Sequence, residues 1–386
     1  MKRNEILIVV VLIIFGIMYH FYKSGEIDLI TKNGFSISIS STKLLDKDHQ
    51  NDFIEKGISL YGIKHIKIIN KAGEITVKRS KDNTTTIKPI ICVYHKNKSI
   101  ANEIYNKIKI ISENNTENIK IEVDSHGKFP YKRVRVKFAI LIPETVELNI
   151  FNRYGNINMK DSGKDIYINE KYGDILVSDI NSNLNIIHKY GTIKLKNISG
   201  NVEIKSKHSK LSINKSLSLQ IESEFTNLNL ENIKDDIKIK NSHSQINMKK
   251  ITGNIIIQSR HCKIKLNNID SEYLYIKNSY DDVYIKNISG NNINLHINHA
   301  DLNINFNEIK EQININSEYS DITIKYPKST NPSLNICTKY GKIKNYSKTK
   351  LTIIKQKYNQ SLSAQYGNPE IIINNYYGHV YLKNND

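Results

Sequence analysis

Tryptophan is absent from the 386 residues, and proline (6), cysteine (3) and glycine (17) are scarce. With so few prolines and 39% hydrophobic residues, the chain is not a disordered tail. Cys92, Cys262 and Cys337 lie far apart with no CxxC spacing, which argues against a disulfide framework or a cysteine-based zinc site. Long apolar runs are missing except for one at the amino terminus, so the chain is not polytopic. No GxSxG, P-loop or dinucleotide fingerprint occurs. The chain is therefore expected not to be an enzyme and to need no cofactor. Acidic residues are also few, 38 Asp+Glu against 56 Lys+Arg, for a formal charge of +18. Isoleucine (about 70) and asparagine (about 50) are abundant alongside Lys and Tyr. That combination follows an AT-rich coding bias, which alone would produce part of the positive charge.

Lys2 and Arg3 precede an apolar run from Ile6 to Tyr22, interrupted only by Gly16 and His20 and closed by Lys23. About 17 residues at 1.5 Å each give roughly 26 Å, enough to cross a bilayer's hydrocarbon if Tyr19, Phe21 and Tyr22 seat at the interface. The stretch from Met18 to Ser24 offers no good pair of small residues for cleavage, and no cysteine follows for lipid attachment. Residues 1–23 are thus expected to be a retained membrane anchor that spans through residues 6–22. Everything after about residue 24 then lies outside the cytoplasm, at the cell envelope or surface. A cleaved, secreted chain is the alternative.

From residue 154 an aromatic or histidine landmark recurs at a spacing of about 18 that drifts to about 21 residues: Tyr154, Tyr172, Tyr190, His208, Phe225, His243, His261, Tyr280, His299, Tyr319 and Tyr340. Three residues after each stands an aliphatic one, as in Ile157, Ile175, Ile193, Leu211 and Leu228. Five after stands another, as in Met159, Val177, Leu195 and Ile213, broken only by Asn345. A second alternating pair follows in each unit, for example Ile166/Ile168, Leu184/Ile186 and Val202/Ile204. Period-two alternation with Lys, Asn, Ser or Glu between aliphatics is the strand signature. A unit this short cannot bury a core of its own and must stack on its neighbours. The expected fold is all-β: a parallel β-helix, or β-solenoid, over 151–345. About ten coils at about 4.8 Å each make a rod near 50 Å long. A β-sandwich is the competing fold, although it would not require the same register in every unit.

Residues 24–57 read as a linker and 58–150 as a β-rich cap over the first coil. In that cap Ile100, Ile104, Ile108 and Ile111 share one face of a short helix that Ser99 could cap. Residues 346–386 are expected to form C-terminal strands and a second cap.

The landmark column is the candidate surface site, since stacked Tyr and His could grip a sugar ring or a cation. A purely structural ladder is the plainer expectation. His243, His261 and Cys262 should be neighbours, yet no carboxylate is tied to them by spacing, and no metal is expected. Asp235-Asp236 and Asp281-Asp282 are the only tight acidic pairs, and they occupy different turns, as a glycan-cleaving pair would not. Outward lysines such as Lys194, Lys205, Lys240 and Lys263 make a basic surface suited to anionic cell-envelope polymers or glycans. Nucleic acid is not expected, because base-stacking aromatics are not interleaved on such a face. A binding, adhesion or scaffold surface is the expected function. The alternatives are a self-associating filament and a β-helix polysaccharide-degrading enzyme.

The order Ile66-Lys67-Ile68-Ile69, Gly73-Glu74-Ile75-Thr76-Val77, a helix-containing insert, then Val134 to Pro143 leading into Tyr154-Gly155-Asn156-Ile157 resembles the bacterial putative-adhesin family. The resemblance spans roughly residues 58–345. It implies an envelope-displayed β-solenoid of largely unknown function, with no catalytic residues. Several coils here replace the glycine after the landmark with Ser, Thr, Cys, Ala or Asp, which leaves any role of that glycine open.

Overall fold

The computed structural model describes residues 49–385 except 126, 128 and 162, together with the backbone of two short antiparallel strands, Asp28–Thr31 and Phe35–Ser38. The anchor expected over residues 6–22 lies outside the described residues. Among those described, no helix is long and apolar enough to cross a membrane.

The fold is an all-β solenoid of about nine turns with one short helix. Each lap supplies one strand to each of two parallel rows, because the period-two alternation puts aliphatic residues on the inner side of both. In one row Ile168, Ile186, Ile204, Ile221, Ile239 and Ile257 are successive partners. In the other, Ile157, Ile175, Ile193, Leu211, Leu228 and Ile246 are. None of these twelve is more than 1% exposed. The unbroken lap-to-lap register decides against the sandwich.

A flattened lap has two tight corners, and most laps place a left-handed residue at each. At the corner leading from one lap to the next these are Asp179 (φ 60°), Asn197 (φ 55°), Asn268 (φ 54°) and Asn287 (φ 54°). Asp and Asn tolerate that region because their short polar groups bond locally. Their side chains also ladder, with Asn197 Nδ2 donating to Asp179 Oδ1 at 2.7 Å and Asn287 Nδ2 to Asn268 Oδ1 at 2.9 Å. The opposite corner carries the aromatic landmarks.

Parallel stacking runs past 151 and 345 at both ends, and there spatial order departs from chain order. Strand His65–Asn70 lies between Glu147–Tyr154 and Asn118–Ser125. Strand Ile75–Arg79 lies between Ile157–Lys160 and Val134–Ile142. The chain therefore lays down the second lap, then the outermost lap, then the third. The far end mirrors this: Glu370–Tyr376 is wedged between Leu302–Glu318 and Ser333–Lys339. Val380–Asn384 is likewise held between Ile322–Tyr326 and Ile343–Asn345.

Two expectations for the flanks are corrected. Strand Gln50–Ile54, placed in the linker by sequence, pairs with Thr84–Tyr94 and belongs to the cap. Helix α1 covers only Lys98–Tyr105 and is capped by Asn97, whose side chain accepts from Ser99 N at 2.8 Å and Ile100 N at 3.4 Å. Ile108 and Ile111 lie beyond it, in strand Ile108–Asn114, because β-branched residues there pair antiparallel with 118–125. Ala101 is the buried helix residue, while Ile100 is exposed.

Candidate functional site

The landmark side chains stack in one row along the rod. Centroid separations run from 5.0 Å for Tyr154–Tyr172 through 5.1 Å for Tyr172–Tyr190 and Tyr190–His208 to 5.0 Å for His208–Phe225. They continue at 4.8 Å for Phe225–His243, 4.9 Å for His243–His261 and 4.7 Å for His261–Tyr280. Tyr280–His299 at 5.3 Å and His299–Tyr319 at 4.7 Å complete the run of consecutive laps. Tyr340 does not follow Tyr319, as its spacing suggested. Tyr377 sits between them, 4.7 Å from Tyr319 and 4.8 Å from Tyr340, because strand 370–376 is wedged into that slot. Tyr131 of the cap extends the other end, 5.5 Å from Tyr154. Tyr377 was signalled by its Tyr-Gly-x-Val spelling, whereas Tyr131 had no repeat to announce it. Tyr366-Gly367, which shares only the Tyr-Gly pair, is not a ladder member and lies beyond strand Asn359–Ala364.

Near-parallel rings at this separation cover one another's faces, so along its length the ladder offers edges, hydroxyls and ring nitrogens. A sugar ring cannot lie flat on a ring face within the row. Nine members adopt left-handed backbone, from His208 (φ 49°) to Tyr280 (φ 69°), which is uncommon for bulky residues. Tyr154 and Tyr190 do not; their following glycines take the special conformation instead, at φ 138° for Gly155 and φ 134° for Gly191. A Cβ on either would come within 2.3 Å of the carbonyl oxygen of the preceding corner, Gly73 or Gly173.

Inside the same corner runs a second column, missed from the sequence. Two positions before the landmarks stand Asn152, Glu170, His188, Ser206, Ser223, Asn241 and Asn278, all buried. They bond the corner backbone. Asn152 Nδ2 reaches Gly73 O at 3.2 Å, Asn241 Nδ2 reaches Thr226 O at 3.2 Å, and Asn278 Nδ2 reaches Cys262 O at 3.0 Å. The signal was a polar residue repeating at an inward position, visible only once corners are distinguished from strand middles. His188 bridges Ser209 Oγ and Gly173 O, both at 2.8 Å, and burial lowers its pKa below the ordinary value. Burial pushes the Glu170 carboxyl up from 4.5 to about 7. Glu170 Oε1 accepts from Tyr172 N at 3.1 Å, while Glu170 Oε2 and Asn152 Oδ1 are both buried without a partner. Asn152 and Glu170 are register partners, so these two unpartnered oxygens belong to adjacent laps of the same buried column.

Outside, a shallow groove of about 1060 Å³ runs along the strand row that precedes the ladder, across the laps from Asn169 to Arg260. Lys171, Lys189, Lys205, Lys207, Lys240 and Arg260 line it, against Glu222 and Glu224 on its surface. Lys207 is paired to Glu224 at 2.9 Å. Two of these lysines lie over ladder rings, with Lys171 Nζ 5.3 Å from the Tyr172 centroid and Lys189 Nζ 5.4 Å from that of Tyr190.

The remaining candidates do not converge. His261 stacks between its neighbours, but Cys262 is fully buried and donates its thiol to Arg260 O at 3.4 Å. Among the described residues no group of three or more His, Cys, Asp or Glu could hold a metal ion. Asp235-Asp236 precede strand 237–242, and Asp281-Asp282 precede the opposite strand of a later lap, so the pairs lie at opposite edges. All three cysteines are free; Cys92 and Cys262 are buried and Cys337 is exposed.

The family resemblance anticipated from the coil motifs is borne out: the profile described as Toastrack DUF4097 matches residues 189–368, a little under half of the chain. No curated protein matches the sequence closely enough to count as a relative. Solved structures similar to this chain include a putative cell adhesion protein from Clostridium sporogenes, 11% identical, covering 87% of this chain and 100% of that one with a TM-score of 0.17. A putative adhesin from Parabacteroides distasonis is 10% identical, over 86% of this chain and 96% of that one, with a TM-score of 0.27. A putative lipid binding protein from the same species is 14% identical, over 69% and 96%, with a TM-score of 0.24. At this depth of similarity no property of those proteins transfers to this chain.

Proposed function

We propose that this chain is a non-enzymatic binding rod, held at the cell envelope by its amino-terminal apolar run, that presents its basic groove to anionic envelope polymers. The groove carries the proposal: six cationic side chains converge on one strand face, against the surface carboxylates Glu222 and Glu224 and the buried Glu170. A rigid parallel stack fixes their spacing, so a polymer meets a preformed array and little ordering cost falls on the protein. The two tight acidic pairs sit at opposite edges of the rod, which speaks against their acting together on a glycosidic bond.

The test is retention of the full chain on purified acidic glycans and teichoic-type polymers at low and high salt. Binding at low salt that weakens but persists at high salt is the expected result, since a shaped array outlasts screening better than diffuse charge does. Failure to bind any polyanion at low salt would remove the proposal. Release of reducing ends from such a glycan would replace it with the enzyme reading.

A further inference from the structure

Three consecutive laps share the spelling basic-Tyr-Gly: Arg153-Tyr154-Gly155, Lys171-Tyr172-Gly173 and Lys189-Tyr190-Gly191. Tyr154, Tyr172 and Tyr190 are direct register partners, so the three cations also stand in one column. Each lies over its own ring, at 5.2, 5.3 and 5.4 Å from the centroid, and so inherits the ring period of 5.0 and 5.1 Å. The same column is neutralised at both ends, by Lys71–Asp124 at 3.4 Å and Lys207–Glu224 at 2.9 Å. Between those ends no described salt bridge reaches Arg153, Lys171 or Lys189. Like charges one lap apart repel unless an anion lies across them. One column further into the groove, Ile187 is 37% exposed and offers an apolar floor.

We propose that these three laps form a register-matched site for a linear acidic polysaccharide lying along the rod axis, with one carboxylate per lap. The proposal rests on the reading of the groove as a polyanion surface and adds the ligand class, its direction and its repeat. The lap period is close to the length of one pyranose unit in an extended chain, so carboxylates on every sugar recur along the axis at the lap spacing, within reach of the long Arg and Lys side chains. The tyrosine faces are covered by their neighbours, so recognition runs through charge and through the hydroxyl edges. The aromatic stack preorganises the cations by holding their stems. A polymer charged only on alternate sugars would leave the middle cation unmatched.

Oligomannuronates, with a carboxylate on every sugar, and hyaluronan fragments, with one on every second sugar, would be titrated calorimetrically into the full chain at fixed ionic strength and matched charge number. At least tenfold tighter binding of the oligomannuronate is expected. The triple variant Arg153→Gln, Lys171→Gln, Lys189→Gln should lose that preference. The control triple Lys194→Gln, Lys196→Gln, Lys265→Gln, which removes the same charge from the other strand row, should keep it, and melting curves would confirm that both fold. Equal affinity for the two polymers, or equal losses in the two triples, would overturn the register-matched site while leaving polyanion binding intact. No binding of either polymer, or of teichoic-type polymers, would overturn both.

Discussion

The same corner is built in two ways along one ladder. In the laps of Tyr154, Tyr172 and Tyr190 a glycine follows the ring, and the buried polar residue two positions before it is large: Asn152, Glu170 or His188. From His208 to Tyr319 the ring residue itself turns left-handed. The residue after it then points inward and is buried, as with Ser209, Thr226, Cys262, Ala300 and Ser320. In four of those seven laps the earlier position shrinks, to Ser206, Ser223, Ser259 or Ser317, while Asn241, Asn278 and Ile297 keep their bulk. The corner is a fixed volume that two positions share. Where the earlier position is Ser, the inward residue after the ring takes up the space; Asn375 before the left-handed Tyr377 and its Gly378 shows that backbone conformation is not set by bulk alone.

If the two regions differ at the corner alone, breaking their common core should hurt both alike. Ile186→Asp in the glycine laps and Ile239→Asp in the others each place a charge at a position with no exposure. Each should cost more than about 4 kcal/mol and unfold several laps together, read by chemical denaturation with hydrogen exchange. Near-normal stability in either would refute the stacked core.

Next in size is the corner itself. Gly191→Ala drives a Cβ to 2.3 Å from Gly173 O and should cost about 3 kcal/mol. Ser244→Ala, at the equivalent place in a left-handed lap, loses only a hydrogen bond to Ser242 O and should cost about 1 kcal/mol. Similar losses in the two variants would mean the corners do not differ as described.

The subtlest contrast is in pH. Glu170 holds its proton in the folded chain up to about pH 7, whereas its ordinary value is 4.5. Its folded pKa is raised, so its contribution is complete below pH 4.5 and is lost as pH rises through about 7. That loss amounts to at most about 3 kcal/mol. His188 works in the opposite sense: its lowered pKa takes stability away as pH falls. Glu170→Gln removes the titrating carboxyl, so its unfolding free energy should decline less than wild type between pH 5 and pH 8. Parallel pH profiles would show that the carboxyl is not held protonated.

Much of this was legible in the sequence. The aliphatic positions three and five residues after each landmark could be read because every lap repeats the same alternation, and the laps do stack in that register. The helix was overextended because Ile100, Ile104, Ile108 and Ile111 also fit a helical face, while pairing with 118–125 decides the last two. The buried polar column was hidden because alternation marks inward positions by aliphatic residues, whereas Asn152, Glu170, His188 and Ser206 carry polar groups inward at the corner. The wedged ends were hidden more deeply, since spacing records how far apart residues lie along the chain but not which lap fills which slot. Tyr340 was therefore set beside Tyr319, where Tyr377 belongs.

Residues 370–384 fill a slot within the stack, so a chain broken off at residue 369 would not be a rod one turn shorter. It would expose two raw strand edges facing each other across a gap one strand wide. Such a gap is a ready receptacle for the matching tail of another copy, and damage there would turn a self-contained molecule into a link in a chain of borrowed strands.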